Sequence, residues 1–312
     1  MSALSGRRLA MYIGLCAVWG STWLVIKIGL RDLPPLWFGA IRMGLACALL
    51  APFALLRASG GAAHTGRGRW KLVVFSGLLQ IGVNYACVFL AEERIDSGLT
   101  ALLFATFPIF AGIFAHYLLP DEPVTARTAA AALLGLGGVM VIESPALGNL
   151  LSHQTRPMLV GSGLALCASL VAAFANVYNK KYLSDVPPVW NTWLQTLSGS
   201  TLLLALAAAF EPGASMRWTP TSVGALLYLS ILGTALPFAG LFWLLHRVPV
   251  SVIGTIPVVD TVIAVILGHL VLSEPLSPRI IAGSALILVA VLLASRGRGG
   301  RAPLLQSAPG RK

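Results

Sequence analysis

Tyr12, Trp19, Trp23 and Lys27 are spaced by seven, four and four residues, a period that puts three aromatic rings and a cation on one helical face. Rings of this kind hold an organic molecule, and an ammonium at the end of the stripe pairs with its carboxylate in a low-dielectric cavity. Packing between helices and snorkelling of Lys27 to the headgroups are the competing structural roles. Arg42 lies about a third of the way into an apolar segment, where a guanidinium costs at least roughly 2.5 kcal/mol unless it faces a partner, water or substrate. Asp260 reads as the only carboxylate well inside such a segment, with Glu92, Glu93, Glu143, Glu211 and Glu274 all mapping near segment ends. A lone intramembrane Asp is a natural proton carrier, because burial and opening to water move its affinity for a proton in opposite directions. Gln80 with Asn84, and Asn176 with Lys180, are four apart on their own helices and supply amides that line a cavity or join helices. The substrate-binding candidates are therefore Trp19, Trp23, Lys27, Arg42, Gln80, Asn84 and Asn176, with Asp260 as the proton-coupling candidate.

Positioning them falls to membrane helices. Of the 312 residues 57% are hydrophobic and 11% charged, against about 25% charged in soluble domains. The apolar residues come in runs of about 20, the length that crosses roughly 30 Å of hydrocarbon, and each crossing must be a helix because no strand edge survives in lipid. The runs predict spans near 9–30, 35–56, 70–91, 98–119, 126–143, 158–180, 188–210, 221–245, 250–272 and 278–295. Cys16, Cys47, Cys87 and Cys167 each stand alone in an apolar run, which predicts buried packing for all four. His116 and His269 fall near span ends. Ala131 with Gly135, and Ala264 with Gly268, predict close packing.

The net charge of +11 is explained by where the basic residues fall. With a cytoplasmic N-terminus, the inside segments hold Arg7, Arg8, Arg57, Arg67, Arg69, Lys71, Arg127, Lys180, Lys181, Arg247, Arg296, Arg298, Arg301, Arg311 and Lys312. The outside loops hold Arg31, Arg94, Arg156, Arg217 and Arg279. Fifteen against five satisfies the positive-inside rule for ten helices with both termini inside, and argues against nucleic acid as the partner. The basic tail at 297–312 is expected to be disordered.

The second half echoes the first. Lys27, Asp32, Pro34, Pro35 and Trp37 recur as Lys180, Asp185, Pro187, Pro188 and Trp190 at one offset of 153, and Glu122–Pro123 recurs as Glu274–Pro275 at 152. Repeats of five helices, over 1–150 and 151–296, must enter the membrane from opposite sides, and inverted repeats of this kind expose a midplane site alternately to the two sides.

The run Val18 to Lys27, "VWGSTWLVIK", followed by Pro34–Pro35 and Arg42, resembles the opening of the EamA family of the drug/metabolite transporter superfamily. Both halves also resemble that family in a proline-containing fourth helix ending in a Glu-Pro turn, at Pro108 with Glu122 and at Pro257 with Glu274. The resemblance covers nearly the whole chain. It implies an all-α integral membrane fold of ten helices, cytoplasmic termini in a bacterial-type inner membrane, a central cavity, and in many members export of amino acids or related small organic metabolites. One departure is Asp260, which stands where Pro108 stands in the first half. Lipid or lipid-linked carrier translocation is the alternative. A membrane-embedded enzyme is disfavoured, since no paired-aspartate motif, phosphate loop, zinc motif or Ser-His-Asp set is present. No cofactor or metal is expected. The partners expected are a small metabolite, the bilayer and protons; substrate, direction and oligomeric state are not legible.

Overall fold

A computed structural model describes residues 6–57, 68–119, 125–148, 155–235, 237, 240, 243–244, 247 and 256–296, and among these no strand occurs. The helices are α1 (Gly6–Gly29), α2 (Pro35–Arg57), α3 (Trp70–Gly77), α4 (Asn84–Arg94), α5 (Ser97–Phe104), α6 (Phe107–Leu118), α7 (Ala126–Gly148), α8 (Arg156–Tyr182), α9 (Pro188–Phe210), α10 (Pro220–Leu227), α11 (Ile256–Leu272) and α12 (Pro278–Arg296). The Glu122–Pro123 turn, the join of the eighth and ninth expected spans, and the tail 297–312 lie outside the described residues.

Among the described residues, seven stretches are long and apolar enough to cross a membrane, from Gly6–Gly29 to Pro188–Phe210, while Pro220–Thr234, Ile256–Leu272 and Pro278–Leu293 are apolar but shorter. Large apolar side chains point outward along them, including Leu45, Leu49 and Phe53 on α2, Leu133, Leu136 and Met140 on α7, and Ile281 and Val289 on α12. Buried positions, by contrast, include Arg42, Asn84, Glu92, Gln195 and Glu274. An apolar exterior around a polar interior is the distribution that a hydrocarbon solvent demands.

Among the described residues three spans depart from a continuous α-helix. A π-helical turn, Leu78–Val83, joins α3 to α4, and another, Tyr228–Ala235, follows α10. Such turns carry an extra residue and often mark functional sites in helices. Between α5 and α6 the cause is Pro108, which has no N–H for the Phe104 carbonyl. Ser169 Oγ on α8 donates to that carbonyl at 3.1 Å, and Thr106 Oγ1 bonds both the Leu103 carbonyl (2.7 Å) and Ser169 (3.0 Å).

The main packing pairs are α7 with α12, α2 with α9, α1 with α11, and α4 with α8. The first is tight: a Cβ on Gly138 would lie 2.7 Å from the Gly283 carbonyl oxygen. Gly135 faces Ile109, and Gly268 lies against Ser97 of α5 and the Glu274 side chain, so both glycines permit a close approach. Cys16, Cys47 and Cys87 are buried as expected. Cys167 is exposed instead, because a sequence run cannot show which positions of a helix are covered by neighbours.

The loops are tied at both ends of the bundle. At the end where α1 and α4 finish, Asp32 accepts from Thr219 Oγ1 at 2.6 Å, lies 3.9 Å from Arg217, and its carbonyl takes the Arg217 amide at 2.9 Å. At the end where α3 begins and α8 finishes, Arg69 donates to Asp185 at 2.6 Å and to the Tyr182 carbonyl at 2.7 Å. Glu211 holds the start of α2, accepting from the Leu36 and Trp37 amides at 3.0 and 3.1 Å, a charge-favourable cap for a helix N-terminus.

Candidate substrate site

The α1 stripe divides between two places. Tyr12 and Trp19 pack with Leu15, Cys16, Leu244 and Ile256 against α11. Gly20 permits that approach, since a Cβ there would lie 2.8 Å from the Asp260 carbonyl oxygen. Asp260 is thus set beside the first half of α1, half-buried, with Thr261 Oγ1 at 3.4 Å from its carboxylate. One and two turns further along α1, Trp23 lies 5.4 Å from Phe104. Lys27 follows, its ammonium donating to the Glu92 carbonyl and, at 2.8 Å, to the Ile95 carbonyl. A cation at the last carbonyls of α4 complements the negative end of that helix.

Lys27 also lines a cleft of about 270 Å³ with Leu30, Arg31, Glu92, Glu93, Asp96, Leu272 and Glu274. Four carboxylates face two cations there. Glu92, near the end of α4, is buried: its side chain is 0% exposed and neither oxygen has a hydrogen-bond partner among the described residues. Glu143 is also buried, with Ser162 Oγ donating to it at 2.8 Å. Both lie near span ends in sequence, where an interfacial position is the ordinary reading. No sequence signal separates a Glu that faces lipid headgroups from one roofed by neighbouring helices.

Glu274 fills a structural role. Its carboxylate accepts from the Ser97 amide (2.8 Å), the Ser97 hydroxyl (2.6 Å) and the Gly98 amide (2.9 Å), capping α5 from the segment that follows α11. Asp96, just before that helix, makes no side-chain cap. Burial, and then the Glu274 carboxylate, push the Asp96 carboxyl above its ordinary value, while Lys27 opposes them. A folded-state value above the unfolded one contributes stability at low pH that is lost as pH rises through the folded value. Asp96→Asn is therefore expected to raise stability at pH 7 by up to about 1 kcal/mol and to change it little at pH 4. Thermal unfolding of the detergent-solubilised protein at the two pH values checks this; equal shifts would contradict it.

Arg42 is 2% exposed. Its guanidinium carbon lies 5.1 Å from the Tyr85 ring centroid and 6.0 Å from that of Phe89, and its Nε has no partner among the described residues. Lys27 reaches the Glu92 backbone carbonyl and Arg42 lies over Tyr85 and Phe89 on the same helix, so two of the cations selected from sequence meet α4. Gln80, Asn84 and Asn176 form a separate group at the π-helical turn: Asn84 Nδ2 donates to the Gln80 carbonyl at 3.0 Å, and Asn176 Nδ2 to Gln80 Oε1 at 3.5 Å. Asn84 Oδ1 is buried and has no hydrogen-bond partner among the described residues, whereas Asn176 is exposed. A polar chain that sequence reasoning missed runs beside them, in which Ser76 and Gln195 both donate to Asn179 Oδ1, at 3.1 and 3.0 Å, and Gln195 also donates to Asn191 at 2.7 Å. No group of three or more metal-ligating side chains occurs among the described residues.

A multi-pass helical bundle with apolar outer faces and buried polar and charged side chains is that of an integral membrane protein. The chain matches the EamA-like transporter family twice, over residues 8–144 and 159–296. It belongs to that family. Among its relatives, the uncharacterized transporter YoaV of Bacillus subtilis (strain 168) is 28% identical over 90% of this chain and 94% of its own. The uncharacterized inner membrane transporter YedA of Escherichia coli (strain K12) is 28% identical over 95% and 91%. A solved crystal structure at 18% identity superposes with a TM-score of 0.59, covering 92% of this chain and 96% of that one, and shows the same fold.

Proposed function

We propose that this transporter has ten helices in two inverted five-helix repeats, 1–150 and 151–296, and exports amino acids or related small organic metabolites by alternating access. Both termini then face the cytoplasm of a bacterial-type inner membrane, as the Lys and Arg distribution favours. The observation that carries the reading is the pair of loop ties. Asp32 and Asp185 correspond at the repeat offset of 153, and each holds an arginine that precedes the third helix of the other half, at opposite ends of the bundle. Interrupted third helices in both halves, and the pairing of α2 with its counterpart α9 and of α7 with α12, agree with it. Breaking one tie while the other holds is what opens an inverted-repeat carrier to one side. Asp260, beside α1 in the second half, is the proton-coupling candidate.

Flux of a labelled amino-acid and metabolite panel into liposomes, with and without a proton gradient, tests the reading. Wild-type protein is expected to show saturable flux stimulated by the gradient, and Asp260→Asn to lose that stimulation by about tenfold or more while retaining solute exchange. Flux indifferent to gradient and substitution would remove Asp260 from coupling. Absence of flux for every soluble metabolite, with movement of lipid instead, would replace the reading with lipid translocation.

A further inference from the structure

We infer that Arg42 is the seat of a small monovalent anion, a carboxylate or a halide, held in the plane of its guanidinium. The inference goes beyond the transport reading and does not depend on it. Arg42 stands about two turns into α2, roughly 10 Å along the helix axis, and is 2% exposed. Three elements close around its head. On α4, the Tyr85 and Phe89 ring centroids lie 5.1 and 6.0 Å from the guanidinium carbon. From the second half, a Cβ on Gly233 would lie 3.4 Å from Arg42 Nη2 and 3.2 Å from Thr22 Cγ2, so the π-helical turn Tyr228–Ala235 and α1 meet at the same place. Ser230 of that turn donates to the Arg42 carbonyl at 3.2 Å.

What the side chain lacks is an acceptor. Among the described residues Arg42 Nε has no hydrogen-bond partner, and no ion pair includes Arg42. Glu92, further along α4, has neither carboxylate oxygen bonded, so it is not that acceptor. The Glu211 and Glu274 carboxylates are taken up by backbone amides at the starts of α2 and α5. A guanidinium removed from water is costly until an anion completes it. A ring over its face leaves the N–H donors, which lie in its plane, free to point at a ligand. Two of them match the oxygens of a carboxylate, and a halide accepts the same pair. Neutrality sets the charge: one cation closed off from water is balanced by one negative charge, whereas sulfate leaves a net charge buried. The matched place in the second half carries no charge. Position 195, at the offset of 153, is a glutamine, and its amide is satisfied by Asn179 and Asn191.

The test uses purified full-length protein in sulfate buffer at constant ionic strength, with thermal unfolding read against chloride, bromide, formate, acetate and benzoate. Saturable stabilisation by about 4 °C or more is expected for at least one monoanion. Arg42→Gln copies the residue at position 195 and is expected to lose that response. Arg42→Lys keeps the charge without the fork, and is expected to retain a halide response while losing about tenfold in affinity for a carboxylate. Bromide anomalous scattering from wild-type crystals reads the seat without any variant, and a peak beside the Arg42 guanidinium is expected. Tighter binding of a carboxylate, with flux of that carboxylate in liposomes, assigns the seat to the solute; tighter binding of a halide, without its flux, assigns it to a resident ion. No saturable stabilisation by any monoanion, or equal stabilisation of wild type and Arg42→Gln, would overturn the inference. Protein that binds the anion but moves no solute in liposomes would remove the transport reading and leave the anion seat standing.

Discussion

Glu274→Ala is expected to lower the stability of the detergent-solubilised protein by about 3–5 kcal/mol, because three donors lose their acceptor in a site closed to water. The Ser97 and Gly98 amides belong to the first turn of α5, where no intrahelical partner exists, and the carboxylate that serves them is 8% exposed. Nothing local replaces it, since the Asp96 side chain does not cap. The same residue fixes its own loop through the His269 ring, whose Nδ1 lies 2.8 Å from the Glu274 carbonyl. Glu274→Gln keeps one acceptor oxygen and is expected to recover about half of the loss. Denaturant unfolding followed by tryptophan fluorescence reads both variants, and an alanine variant within about 1 kcal/mol of wild type would show that α5 is capped otherwise.

Lys27→Met is expected to cost about 3 kcal/mol. The ammonium is held by two carbonyls at the end of α4 and is the foremost charge acting on the buried Glu92. Methionine fills the stem but leaves both carbonyls and the carboxylate without their cation. Because part of the cost is Glu92's lost counter-charge, the double variant Lys27→Met/Glu92→Gln is expected to recover about a third or more of it. Strictly additive losses would mean that the two groups do not feel each other. In liposomes the single variant is expected to reduce transport as well, since Lys27 and Glu92 line the same cleft.

Sequence and structure differ instructively at these residues. Lys27 and Arg42 were legible as charges too deep to be idle, and both face the interior. Glu92 was not legible, because two adjacent glutamates followed by an arginine at the end of an apolar run look like an interfacial edge. Gln80, Asn84 and Asn176 were found as amides at helical spacing, but the π-helical turn that brings them together has no composition of its own. Glu274 was visible only as half of a recurring Glu-Pro pair.

Taken alone, the sequence determined the solvent in which this chain folds, the order and approximate limits of its helices, and the recurrence at 153 positions, because hydropathy and repetition are properties of a string. Tertiary structure alone decided which polar groups are paired. That Ser169 completes the carbonyl freed by Pro108, that Glu274 caps a helix 177 residues away, and that Arg42 lies buried over the Tyr85 ring all depend on contacts between distant segments. Pairing is a matter of ångströms between helices, and helices of similar hydropathy pack in many ways that a string does not distinguish.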